Sequence, residues 1–213
     1  MSFALHALAD PTLISLNEYL EGGARRHVVD AAAALFRKSG FNAVSMIEVA
    51  HAVGLSKPGL YHHWPNKEAL LQAIVGLTSE LLLRQLDEAR EASADPGERM
   101  RIYVRSRLAV VARHQDLFTV TWQERAILSS TSFGRLAAVA EQYRNGVRGL
   151  IDEAKGAGVI RPEVDSHLLM LAIDGMTGWA YFWYREKGPL RPEQIGDVFW
   201  DMLANGVASL PES

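Results

Sequence analysis

The sequence predicts an all-α protein: a small N-terminal domain of three short helices containing a helix-turn-helix, followed by a larger C-terminal helical domain. Three observations predict it. Apolar residues recur at helical spacing along most of the chain, and strict alternation is scarce. Helix-start and helix-stop residues punctuate it at regular intervals. The 213 residues are 48% apolar and 22% charged, enough to bury a core without disulfides or metals.

Residues 1–24 form an N-terminal extension in which Leu13, Ile14, Leu16, Tyr19 and Leu20 fit a short amphipathic helix ending at Gly22-Gly23. The first clear helix runs near 26–39 and presents Val28, Val29, Ala32, Leu35 and Phe36, with Gly40 as its stop. Ser45 and Glu48 make a capping box for a helix near 46–53, whose apolar face is Ile47, Val49 and Ala50. Val53-Gly54-Leu55 is a tight connector, and Ser56 caps a helix near 57–63 with Pro58 in its first turn, where a missing N–H costs nothing. Asn66 opens a long helix near 67–92, and Asp95-Pro96-Gly97-Glu98 opens another near 96–113. Further helices are expected near 117–128, 133–157, 166–187 and 192–208. Gly158 and Gly188 mark ends, while Asp165 and Pro192-Glu193 mark beginnings. The domain division is expected inside the fourth helix, giving 25–72 and 73–213.

The net charge of −3 hides an asymmetry. Residues 25–70 carry six bases against three acids, whereas 1–24 and 71–213 are each acidic by three. A basic block on an acidic chain fits a small anion-facing module. The absence of cysteine excludes disulfide scaffolds, thiolate zinc sites, cysteine nucleophiles and iron–sulfur clusters. No apolar run reaches the roughly 18 residues of a membrane span. The opening residues lack the basic start and apolar core of a secretory leader. The expectation is a cytoplasmic protein with no membrane partner.

Function concentrates in residues 45–64, SMIEVAHAVGLSKPGLYHHW. Two short helices joined by a glycine-containing turn make a helix-turn-helix, which lays the start of its second helix in the major groove. Lys57 suits guanine acceptors or a phosphate. Tyr61 suits a phosphate or a thymine methyl. Gly59 lets the backbone approach. Of His62 and His63, one is expected to face outward. Lys67, at the next helix N-terminus with Asn66, suits a phosphate oxygen. With Ser45, Ser56 and Pro58, these residues form the candidate DNA-binding set. Leu60 and Trp64 are expected in the core. Adjacent histidines diverge by about 100° on a helix, so no metal site is expected.

The S-x-x-E-V-A-x-x-V-G-L-S-K-P-G-L-Y-H-H-W-x-x-K-E-A-L-L core, within the stretch from Arg26 to Val75, resembles the DNA-binding domain of the tetracycline-repressor (TetR) family. Trp64 stands where phenylalanine is common, and the N-terminal extension is longer than usual. The resemblance implies an all-helical homodimeric transcription regulator, usually a repressor. Its C-terminal body would bind a small molecule and pair through the last two long helices. Residues 175–188 also resemble a subgroup responding to acyl-CoA thioesters.

The C-terminal helices fit that plan. A helix apolar nearly all round needs cover on most sides. Trp183, Phe199 and Leu203 are the candidate dimer residues in a four-helix bundle. Candidate effector residues are Phe118, Trp122, Tyr143, Met176 and Trp179, with Leu128, Phe133, Leu136 and Met170 nearby. Arg125, Arg148 and Arg185 are candidates for an anionic head group. The expected partners are double-stranded DNA, a second copy and a largely apolar or acyl-CoA-type effector, with no cofactor.

An enzyme, or a non-DNA interaction module on the same scaffold, is the alternative. His114, Gln115 and Asp116 diverge around a helix, and His167 near Asp165 has no nucleophile turn beside it. No catalytic constellation emerges.

Overall fold

The computed structural model describes residues 23–124 and 134–206. The extension up to residue 22, and the candidates Arg125, Leu128 and Phe133, lie outside the described residues. Within them the chain is helical, in the order α1 (Ala24–Ser39), α2 (Met46–Ala52), α3 (Lys57–His63), α4 (Lys67–Glu91), α5 (Pro96–Arg113), α6 (Gln115–Gln123), α7 (Gly134–Gly156), α8 (Ser166–Gly178), α9 (Ala180–Trp183) and α10 (Pro192–Asn205).

The punctuation works as chemistry. Asp95 accepts from the Gly97 N–H at 3.0 Å, and Asp165 from the Leu168 N–H at 2.9 Å, each satisfying a donor that its helix cannot. The bond from Leu168 also holds the Asp165 carboxyl below its ordinary pKa. Gly40 and Gly158 end α1 and the turn after α7 at φ values of 83° and 74°, a region that favours glycine.

One expected helix is broken. The stretch 166–187 ends as α8 at Gly178, continues through Trp179 into the single turn α9, and becomes extended at Tyr184 (φ −62°, ψ 140°). Side chains take the carbonyls there. Gln115 Nε2 donates to the Tyr184 carbonyl at 3.0 Å, and Arg185 donates to those of Phe182 and Tyr184 at 3.0 and 2.9 Å. A carbonyl held by a side chain does not need the next helical turn.

The chain divides into two compact units. The first comprises Met1–Leu81 and Asp116–Ala138, the second Leu82–Gln115 and Val139–Ser213. The packing division therefore falls at Leu81, within α4 and nine residues beyond the expected 72. In the first unit Val28, Val29, Ala32 and Phe36 of α1 are buried with Phe41, Val49, Leu60 and Trp64. Arg37 holds Asp116 at 2.5 Å within that same unit. α4 has the length and apolarity of a membrane span, but 72% of its most apolar stretch is buried inside the protein, as in a core helix.

In the second unit α5 is the central element. Met100, Tyr103, Val104, Leu108 and Val111 are fully buried on it, and α8, α9 and α10 all pack against it. α10 comes close to α5 at Gly196, where an added Cβ would stand 2.6 Å from the Arg105 Cα. Two opposing effects meet at this position. Alanine is better than glycine inside a helix by roughly 0.5–1 kcal/mol, whereas overpacking against backbone costs about 1–3 kcal/mol. The clash wins, so Gly196→Ala should lower stability by about 1–2 kcal/mol. Urea unfolding followed by circular dichroism reads this directly; a stabilised variant would show that the approach is not a constraint.

Candidate nucleic-acid interface

α1, α2 and α3 build the helix-turn-helix. α2 begins at a complete capping box: the Ser45 N–H and hydroxyl both donate to Glu48 at 2.7 and 2.8 Å, and the Glu48 N–H donates back to Ser45 Oγ at 3.2 Å. Those bonds hold the Glu48 carboxyl below its ordinary pKa. Ser45 is thereby engaged in the cap. The buried face of α2 is Met46, Val49 and Ala50, while Ile47 is 57% exposed. The expected face of Ile47, Val49 and Ala50 is thus rotated by one residue, because Met46 is the first helical residue and pairs with 49 and 50 at i+3 and i+4.

The turn passes through Gly54 at φ 68°. Ser56 then caps α3, its Oγ accepting from the Gly59 N–H at 3.2 Å. Pro58 lies in the first turn of α3. Leu60 is the one buried residue within that helix, and Trp64, which follows it, is also fully buried. Lys57, Tyr61, His62 and His63 are left exposed. Both histidines face outward, not one, with rings 5.2 Å apart. Lys57 Nζ lies 5.7 Å from the Tyr61 ring centroid. A cation, a phenol and two imidazoles therefore share one open surface, whose donors match phosphate oxygens and purine acceptors.

Lys67 is placed differently from the expectation of a phosphate contact. Its ammonium donates to the carbonyls of Phe41, Asn42 and Val44 at 2.6, 3.2 and 2.9 Å. It also sits 4.5 Å from the Phe41 ring centroid. All three N–H donors of the ammonium are used. The clasp ties the start of α4 to the α1–α2 turn. Asn66 is likewise engaged, its Oδ1 accepting from the Ala69 N–H at 2.7 Å. Arg25 stacks over the Trp64 ring, its guanidinium carbon 5.2 Å from the ring centroid. The sequence shows these cations but not their partners, because the carbonyls of a turn leave no trace in side-chain pattern.

The candidate effector and dimer residues fall as follows. Phe118 is buried in the first unit, where Trp122 is 51% exposed. In the second unit Tyr143 is buried, Met176 is half-buried and Trp179 is 48% exposed. Arg148 bonds Glu141 at 3.2 Å on the surface of α7, and Arg185 caps α9 as described. Trp183 packs edge-on to Phe199 with centroids 6.3 Å apart, and Leu203 is half-buried. The most exposed apolar residues of α8, α9 and α10 are others: Leu168, Leu171, Phe182, Val198 and Met202. A buried polar cluster of Tyr103, Arg107, Tyr143 and Asp174 was not anticipated. Its signal is legible in retrospect, since Arg107 falls on the stripe of Met100, Tyr103, Val104, Leu108 and Val111.

An exposed reading helix on a three-helix head, joined to a helical body, defines the class of helix-turn-helix DNA-binding regulators. Comparison with known proteins makes this specific. Residues 28–74 match the model described as bacterial regulatory proteins, tetR family, and 93–207 match the tetracyclin repressor-like C-terminal domain. The chain belongs to the TetR family of transcription regulators. It is similar to the transcriptional repressor KstR2 of Mycobacterium tuberculosis, at 23% identity over 86% of this chain and 92% of that one. The ketosteroid regulator structure of KstR2 superposes with a TM-score of 0.79 at 22% identity, covering 89% of this chain and 97% of that one. PfmR from Thermus thermophilus is 30% identical, with a TM-score of 0.78 over 85% of this chain and 99% of that one. AibR, solved with isovaleryl coenzyme A and operator DNA, is 32% identical, with a TM-score of 0.75 over 85% and 98%. The family is one of ligand-responsive DNA-binding regulators rather than enzymes.

The two lysines should separate in a salt titration of DNA binding. Each phosphate contact contributes a slope of about 0.9 in log K against log salt. Lys57→Gln should reduce the slope by about that amount and leave stability unchanged. Lys67→Gln should leave the slope unchanged and lower unfolding stability by about 1–2 kcal/mol, since carbonyls lose a charged donor. A reversed pattern would exchange the two roles.

Proposed function

We propose that this protein is a repressor that binds a palindromic operator as a homodimer and leaves it when an acyl-type effector binds the C-terminal domain. The observation that carries the reading is the open face of α3. Ser56 and Gly59 set its N-terminus, Leu60 and Trp64 fix its back, and Lys57, Tyr61, His62 and His63 remain to meet bases and phosphates. In this reading residues 25–72 are the DNA-binding domain and 73–213 the effector and dimer domain. Ser45 and Pro58 serve by shaping the two helices.

The pairing surface is supported by exposure. Leu168, Leu171 and Phe182 on α8 and α9, and Val198 and Met202 on α10, are 40–64% exposed. So many large apolar side chains on neighbouring turns fit the core of an obligate interface. In this reading the half-buried Trp183 and Leu203, with Phe199 in edge-on contact with Trp183, join them in the interface. Two copies joined this way would carry two reading heads, as half-sites one helical turn apart require. The effector class is supported by AibR, whose structure holds both isovaleryl coenzyme A and operator DNA. An effector that fits one arrangement of the paired copies better than another shifts the population toward it. Such a regulator works in the cytoplasm, where the DNA is.

Two substitutions test the halves separately. Lys57→Ala or Tyr61→Ala should weaken binding to the upstream DNA of its own gene about tenfold or more, with sedimentation still showing a dimer. Phe182→Asp should give folded monomers and lose most operator affinity. DNA binding untouched by either α3 substitution would remove α3 from the interface.

A further inference from the structure

Four polar side chains from three helices converge inside the second unit. Tyr103 and Arg107 come from α5, Tyr143 from α7 and Asp174 from α8. Arg107 is 6% exposed, Tyr103 0% and Tyr143 7%. Arg107 Nε donates to the Tyr143 oxygen at 2.9 Å. The Tyr103 and Tyr143 hydroxyls are 2.7 Å apart. The Tyr143 hydroxyl donates to Asp174 at 3.4 Å, and the Arg107 guanidinium reaches the same carboxylate at 3.6 Å. The donors thus meet each other at normal bonding lengths but meet their acceptor only loosely. Asp174 is also the member nearest solvent, with its side chain 28% exposed.

Stability does not explain this cluster. A buried ion pair often contributes no more than apolar residues of the same volume, and Met100, Val104 and Leu108 show that α5 fills this core with apolar side chains elsewhere. Burial drives both tyrosine pKa values up, so both remain neutral O–H donors at physiological pH. Burial works against the Arg107 charge, but the surrounding tyrosine and aspartate oxygens outweigh it and keep the guanidinium protonated. What remains is a fixed cation and the Tyr143 hydroxyl aimed at one acceptor position, which Asp174 occupies at long range, with the Tyr103 hydroxyl bonded to Tyr143 behind it.

We propose that Arg107 and Tyr143 form the recognition site for the acyl oxygen of the effector, carboxylate or carbonyl, that Tyr103 holds the Tyr143 hydroxyl from behind, and that Asp174 is an internal stand-in which the effector displaces. The inference rests on the effector-responsive reading above and gives that effector its chemistry: an apolar body ending in an oxygen acceptor. It also gives the displacement a consequence. Asp174 lies on α8, three residues after the exposed Leu171, so releasing it from Arg107 loosens the helix that carries part of the pairing surface.

The test is thermal-shift and calorimetric titration of the full-length protein with six probes: isovalerate, isovaleryl coenzyme A, octanoate, octanoyl coenzyme A, free coenzyme A and octanol. At least one acyl probe should raise the melting temperature of the wild type, and free coenzyme A and octanol should not. A free acid as the binder assigns the carboxylate, and a thioester alone assigns the carbonyl. Arg107→Met and Tyr143→Phe should each weaken that binding at least thirtyfold, while Asp174→Asn should tighten it severalfold by removing the competing charge. The Tyr143→Phe variant keeps the core volume, so it carries the test if Arg107→Met does not fold. Equal affinity in wild type and Tyr143→Phe, or no response of the wild type to any acyl probe, overturns the assignment. A gel shift of the wild type with its upstream DNA, run without probes, fails only if the regulatory reading itself is wrong.

Discussion

A seven-residue helix cannot hold itself together in water; the nucleation cost exceeds what so few backbone bonds return. Everything that α3 does therefore depends on how the rest of its unit grips it. The grip is Leu60 and Trp64, both fully buried one turn apart, with Ser56 capping the front and Arg25 stacked on the Trp64 ring. Burying a leucine alone contributes about 1.5–3 kcal/mol, and the indole contributes more area. Because the anchoring residues lie on one side, the other side is left free by geometry. Exposure of Lys57, Tyr61, His62 and His63 follows from the same packing that makes the helix exist.

The Lys67 clasp extends that logic to the turn before α2. Three carbonyls that no helix uses are gathered by one ammonium. An ammonium suits this better than a guanidinium, since its three donors radiate from a point. The effect is to fix where α4 begins relative to the α1–α2 turn, and so to fix the frame in which α3 sits. Specific recognition demands such rigidity, because a reading helix that wanders averages its contacts away.

Much of this was legible in the sequence, for identifiable reasons. Capping boxes, glycine stops and first-turn prolines are local signals, and the helices they delimit fall within a few residues of their expected ends. The helix-turn-helix was legible because its motif is long and its spacing rigid. What escaped were features set by distant partners. The end of α9 at Tyr184 involves Gln115, which is 69 residues from the Tyr184 carbonyl it holds. The α2 helix starts where expected, but its core face takes Met46 in place of Ile47, a choice between neighbours that the packing of the unit makes. The Arg107 cluster joins side chains from three helices far apart in the chain, and only its place on a buried stripe hinted at it. Ligand recognition is the least legible part, because the side chains that line a core and those that hold an effector are the same types.

Two identical heads reading one duplex is the claim on which the functional reading stands. Selection from random double-stranded DNA, by the full-length protein at physiological salt, tests it most directly. The enriched pool should converge on an inverted repeat with half-sites about one helical turn apart, each half read by one copy. Recovery of unrelated sequences, or of a single asymmetric half-site bound by one protomer, would contradict it.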